Sequence, residues 1–122
     1  MKALVVDDSL TIRRIVVKAL GLVGITEAAE AGDGTEALRA LAGDHFDLIL
    51  LDWNMPKMSG IDTLRALRQA GQKVPVIMVT TEAEKSRVIE AIKTGANDYL
   101  IKPFSPDQLA AKVKSVLGAP TG

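Results

Sequence analysis

Asp7, Asp8, Asp52, Thr80 and Lys102 combine carboxylate, hydroxyl and ammonium groups, and each stands at the end of a short apolar run. "ALVV" (3–6) leads into Asp7-Asp8 and "DLILL" (47–51) into Asp52. "VPVIMVT" (74–80) ends in Thr80, and "DYLI" (98–101) runs into Lys102-Pro103. A carboxylate at the tip of a buried segment is costly without a partner. Several of them in one cleft repel one another unless a cation sits among them. All-oxygen ligands with room for water suit Mg²⁺. A metal that neutralises carboxylates and holds phosphate oxygens is equipment for phosphoryl transfer. Asp52 then reads as a nucleophile that attacks phosphorus and becomes an acyl phosphate. Lys102 offers a positive charge to a phosphate oxygen and Thr80 a hydroxyl donor.

These residues need a scaffold that brings four strand ends together. The four apolar runs, with a weaker "ITEAAEA" (25–31), are four to seven residues long and nearly continuous in apolarity, as strands buried on both faces are. Helical patterns alternate with them. Ile12, Ile15, Val16, Ala19, Leu20 and Val23 make one apolar face, with Gly21 and Gly24 releasing the chain. Asp33 can cap a second helix, with Glu36 three residues on in a capping-box pattern. Ile61, Leu64 and Leu67 mark a third, closed near Gly71, and Val88, Ala91 and Ile92 a fourth, ending at Gly95. Ser105, Pro106 and Gln108 open a fifth with cap, N1 proline and capping-box partner, and Leu109, Val113, Val116 and Leu117 face inward. Five alternations predict an α/β fold with a parallel sheet and helices on both faces. Ligands of such sheets bind beyond the carboxyl ends of the strands.

The 122 residues suit one domain, expected over 1–118 with a loose tail at 119–122. Lysine plus arginine equals aspartate plus glutamate at 15 each, which argues against nucleic acid and anionic membranes as partners. Cysteine is absent and histidine is limited to His45, read as a solvated loop residue, so a transition-metal site is not expected. The N-terminus turns acidic at once and matches neither signal peptide nor membrane span. Taken singly, each residue has a plainer reading. Asp7-Asp8 can be a helix cap, Asp52 a turn residue, Thr80 a strand residue and Lys102 a surface lysine. The joint placement on four strand ends favours chemistry.

The ordered set "VVDDS", "DWNMPKMSG" against D-x-x-M-P-x-M-x-G, "VTT" and "YLIKPF" resembles the bacterial response-regulator receiver domain across essentially the whole chain. Within that family the likeness is to single-domain chemotaxis regulators. The resemblance implies the flavodoxin-like strand order 2-1-3-4-5. It implies Asp52 as phosphoacceptor from a sensor histidine kinase. Asp8, Asp52 and the Asn54 carbonyl are implied as Mg²⁺ ligands, with Asp7 acting through a bound water. Thr80 and Lys102 would hold the phosphoryl group, and Lys102-Pro103 would be a cis peptide. Thr80 and Tyr99 resemble the switch pair that reshapes the face of helix 4, strand 5 and helix 5. That face, with Thr81, Lys85 and Lys93 nearby, would dock a flagellar switch component or another protein target. Asn54 and Glu82 occupy the positions that tune phosphoryl lifetime. Thr81, where alanine is common, is expected to narrow access to the acyl phosphate, and Trp53 fluorescence is expected to report metal binding. The implied protein is cytoplasmic and monomeric. A phosphorelay shuttle and a receiver piece of a larger regulator stay open. An aspartyl phosphatase of the haloacid-dehalogenase type would need an acid where Asn54 stands. A flavodoxin-like cofactor binder would need a phosphate loop where the acidic pair lies.

Overall fold

The computed structural model describes residues 1–118; the expected tail at 119–122 lies outside them. Ten elements alternate strictly: β1 (Lys2–Val6), α1 (Leu10–Gly21), β2 (Glu27–Ala31), α2 (Gly34–Gly43), β3 (Leu48–Leu51), α3 (Gly60–Gln69), β4 (Val76–Thr80), α4 (Lys85–Thr94), β5 (Asp98–Ile101) and α5 (Pro106–Leu117). All strand pairs are parallel, in the order β2-β1-β3-β4-β5. The expected fold class and strand order therefore hold.

The continuous apolarity of the central strands follows from their burial on both faces. Leu4, Val6, Ile49, Leu51 and Met78 pack toward α2, α3 and α4 through Ala37, Ile61, Leu64, Leu67 and Ala91. Their neighbours Ala3, Val5, Leu48, Leu50, Ile77 and Val79 pack toward α1 and α5 through Val16, Ala19, Leu20, Leu109 and Val113. The alternation is the period-2 geometry of a strand applied to a three-layer sandwich. At roughly 1.5–3 kcal/mol for each fully buried aliphatic side chain, these two layers are the main favourable term. β2 reads weakly because it is an edge strand: Glu27 and Glu30 are exposed on a segment that pairs on one side only.

Element ends follow the local chemistry. Ser9, Ser59 and Ser105 cap α1, α3 and α5 through their side chains. Only α5 completes a capping box. The box expected at Asp33 and Glu36 is half made. The Glu36 N–H donates to Asp33 Oδ1 (2.9 Å), and the Thr35 hydroxyl donates to the same oxygen (2.6 Å). β4 begins at Val76, not Val74, because Pro75 has no N–H for the ladder. Ile15 and Ile92, assigned inward by periodicity, are 45% and 47% exposed. Their helices bury narrower faces than the apolar stripe is wide. Val23 lies beyond the end of α1 yet still packs against the core.

Gly60 joins scaffold and site. The start of α3 folds back on the end of β3, and Gly60 N–H donates to Trp53 O (2.8 Å). A Cβ at Gly60 would overlap the Asp52 carbonyl oxygen and stand 2.8 Å from its carbon and 3.0 Å from Trp53 Cα. Only glycine permits this approach.

Candidate functional site

The carboxyl ends of β1, β3, β4 and β5 deliver their terminal side chains to one rim. Asp7, Asp8 and Asp52 each bring a carboxylate oxygen within 4.8 Å of the others. Asp7 and Asp52 are buried, 3% and 6% exposed, while Asp8 is exposed. Lys102, from the end of β5, reaches between the buried pair and donates to Asp7 Oδ2 (2.6 Å) and Asp52 Oδ2 (3.2 Å). The other oxygen of each is held by backbone: Ser9 N–H donates to Asp7 Oδ1 (2.9 Å) and Trp53 N–H to Asp52 Oδ1 (2.7 Å). The acids thus converge and the lysine points at the buried pair.

The electrostatics follow from this geometry. Burial raises the Asp52 pKa above the ordinary 3.8, the Thr80 hydroxyl and Lys102 pull it partway back, and the Asp7 charge pushes it up again. Burial works against the Lys102 charge, but the hydrogen bond to Asp7 and the charges of both aspartates outweigh it, so its pKa is raised. One ammonium faces three carboxylates, which leaves a net negative rim of hard oxygen donors. Asp8 accepts no hydrogen bond among the described residues and lines an open cleft of about 510 Å³ with Trp53, Asn54, Met55, Pro56 and Ser59. A free carboxylate beside two more, facing an open polar cleft, fits a hydrated divalent cation such as Mg²⁺.

The remaining expected residues surround this cluster. Thr80 is fully buried, and its Oγ1 accepts from Glu82 N–H (3.3 Å). Asn54 Nδ2 donates to Glu82 Oε1 (3.0 Å), so the two side chains join across the loops after β3 and β4. Thr81 is exposed and lines an apolar pocket of about 340 Å³ with Ile12, Ile15, Lys102, Pro103 and Phe104. The Lys102-Pro103 peptide is cis. The Tyr99 ring lies inward in this structure, 8% exposed, and its hydroxyl donates to the Glu82 carbonyl (2.6 Å). Burial and the Glu82 charge push the phenol up to about 12.

The His45 side chain is solvent-exposed, 3.3 Å from Asp47 Oδ1, and its backbone N–H donates to Asp44 Oδ1 (2.7 Å), at the opposite end of the sheet. The sequence reading missed two arginines. Arg13 donates from Nη1 to the Asp7 carbonyl (2.6 Å) and from Nε to Glu30 (3.0 Å). The Arg87 guanidinium lies 5.3 Å from the Trp53 ring centroid. Glu30 and Trp53 lie 17 and 34 residues from their arginines, and Asp7, though six residues from Arg13, offers a backbone carbonyl, so no side-chain pattern signals these contacts.

The sequence pattern of the response regulator receiver domain matches residues 3–114. This chain belongs to the response-regulator receiver family. Among curated relatives, the receiver is 47% identical over 118 residues to a protein of Pseudomonas aeruginosa described as "Chemotaxis protein CheY", covering 95% of each chain. It is 44% identical over 121 residues to "Chemotaxis protein CheY1" of Helicobacter pylori, covering 97% and 98%. Among solved structures, the receiver domain of the Francisella response regulator 1452 superposes with TM-score 0.89 at 35% identity, covering 98% of each chain. CheY4 of Vibrio cholerae gives TM-score 0.88 at 39% identity, covering 95% and 98%. The receiver is thus a signalling domain of the two-component type. Among its described residues no helix is long and apolar enough to cross a membrane.

Proposed function

We propose that this receiver is a phosphorylation-activated switch that takes a phosphoryl group on Asp52 from a phosphohistidine of a sensor kinase. The observation that carries the reading is the Asp52 carboxylate, buried at a strand tip and within 4.8 Å of Asp7 and Asp8 oxygens, with Lys102 at 3.2 Å. Asp8, Asp52 and the Asn54 carbonyl would hold Mg²⁺. Asp7 would act through water, in keeping with both of its oxygens being engaged already. The ion would neutralise the carboxylates and the phosphoryl oxygens during transfer.

An Asp52 oxygen forms a bond to phosphorus as the phosphorus–nitrogen bond to the donor imidazole breaks, and the imidazole leaves with the electron pair. Lys102 then exchanges part of its contact with Asp52 for a phosphoryl oxygen, and the Thr80 hydroxyl donates to another. Acyl phosphate on Asp52 adds ~1.5–2 negative charges and three acceptor oxygens, a local change able to bias a two-state element. Thr80 and Tyr99 are that element. The phenol is tied to the Glu82 carbonyl, and Glu82 N–H is tied to Thr80, so movement of the hydroxyl changes what holds the ring. The output is contact with a protein target through the face of α4, β5 and α5, where Ile89, Ile92, Ile101, Lys85 and Lys93 are exposed. The relatives' description as chemotaxis proteins favours a flagellar switch component as that target.

Asn54 and Glu82, hydrogen-bonded to each other, would tune the lifetime of the acyl phosphate, and Thr81 would narrow access to it. The receiver, spanning 1–118, acts as a cytoplasmic monomer. The test is incubation with Mg²⁺ and a small acyl-phosphate donor, followed by intact-mass measurement. A single phosphoryl adduct is expected on the wild type and none on Asp52→Asn. An adduct on both proteins, or on neither, overturns the reading.

A further inference from the structure

We infer that Arg13 is a positioning residue for the metal-binding acids, acting through the backbone of Asp7. The inference rests on the proposed reading of Asp7, Asp8 and Asp52 as a Mg²⁺ site. Asp8 carries the exposed carboxylate of that set and accepts no hydrogen bond among the described residues. Its direction is therefore set by the main chain. The peptide that links it to Asp7 is fixed from two sides. Asp7 N–H donates to Ala31 O on β2 (3.1 Å), and the Asp7 carbonyl accepts from Arg13 Nη1 (2.6 Å). Arg13 is itself anchored, since its Nε donates to Glu30 Oε1 on β2 (3.0 Å) and its side chain is 17% exposed.

A guanidinium is suited to this task. Its planar fork makes two directed bonds at once, which an ammonium on a flexible stem does not reproduce. Arg13 stands in the first turns of α1, whose Ser9 cap follows the acidic pair directly. One side chain thus ties α1, the end of β1 and the edge strand β2 into a single frame around the Asp7–Asp8 turn. Arg14, its neighbour, meets the same Glu30 at 3.5 Å but is 69% exposed and has no bond to the acidic turn.

Positioning and plain electrostatics predict opposite signs. A positive charge behind three carboxylates repels a cation, so removing it would tighten Mg²⁺ binding if charge alone mattered. If Arg13 orients the ligands, removing it weakens binding, by about 10–100-fold on the scale seen for residues that orient metal ligands.

The experiment is calorimetric titration of the folded protein with Mg²⁺ alone, at a temperature where circular dichroism shows each variant fully native. Arg13→Gln is expected to weaken Mg²⁺ binding at least tenfold, Arg13→Lys to recover part of it, and Arg14→Gln to leave it unchanged. Glu30→Ala keeps the Arg13 fork and removes its second anchor, and is expected to weaken binding severalfold; it serves as the alternative should Arg13→Gln not fold. Unchanged or tighter binding in Arg13→Gln or, where that protein is not native, in Glu30→Ala overturns the inference. A wild-type protein that takes up no Mg²⁺ overturns the metal reading itself, and this inference with it.

Discussion

Replacing Gly60 with alanine tests the link between the scaffold and Asp52 with a single methyl group. The added Cβ overlaps the Asp52 carbonyl oxygen and stands 2.8 Å from its carbon, inside the 3.0 Å that side-chain Cβ atoms essentially never cross. Both sides of the clash are backbone, so no rotamer change relieves it. The start of α3 must withdraw from the end of β3 by on the order of 1 Å. Overpacking of this kind costs ~1–3 kcal/mol. Withdrawal of α3 also puts the Gly60 N–H to Trp53 O bond (2.8 Å), ~0.5–1.5 kcal/mol, at risk. The helix-propensity gain of alanine offsets less than ~1 kcal/mol. The expected net loss is about 2–3 kcal/mol, read as a lower urea midpoint with the slope unchanged. The melting temperature should fall by on the order of 10 °C. A displaced Asp52 peptide should also slow acyl-phosphate-driven adduct formation, by up to ~100-fold for a shift of that size. Gly21, with nothing within 4 Å of its added Cβ, is the control, and Gly21→Ala should be neutral or slightly stabilising. A Gly60→Ala protein with wild-type midpoint and wild-type adduct rate would refute the argument, because the close backbone approach would then not constrain the acceptor.

Asp52→Asn should stabilise the metal-free protein in urea, because it removes a buried charge that repels Asp7 while Lys102 keeps its 2.6 Å bond to Asp7; a marked loss of stability would contradict this. Tyr99, the only tyrosine, should form tyrosinate near pH 12 by ultraviolet difference absorbance. Because the unfolded phenol ionises near 10, roughly 2–3 kcal/mol of folding stability is present below pH 10 and lost as pH rises toward 12. Loss of the Lys102 charge above 10.5 acts in the same direction, and a native phenol titrating near 10 would overturn the burial argument. Arg87→Ala should remove a cation–π contact worth ~0.5–1 kcal/mol and shift the emission of Trp53, the only tryptophan. An unchanged spectrum would place the guanidinium elsewhere in solution. Trp53 emission should also respond to Mg²⁺, since its N–H holds Asp52 Oδ1, and a flat titration would argue against the assigned site.

Much of this receiver was legible along the chain because its determinants are local. Continuous apolar runs mark doubly buried strands, serine caps mark helix starts, and a parallel sheet carries every strand end to one rim. Asp7, Asp8, Asp52, Thr80 and Lys102 could therefore be gathered before any coordinate was known. Other features depend on pairs that no periodicity links, and only the tertiary structure decided them. α1 and α4 bury only part of their apolar stripes against the sheet, which left Ile15 and Ile92 exposed. The inward Tyr99 ring was fixed by a carbonyl in the loop after β4. Arg13 meets the Asp7 carbonyl and the edge strand, and Gly60 admits the Asp52 backbone, only because separate elements close on one another. Sequence records which groups each element carries to its end; packing alone determines how near those groups come, and distance governs their charge, their hydrogen bonds and their chemistry.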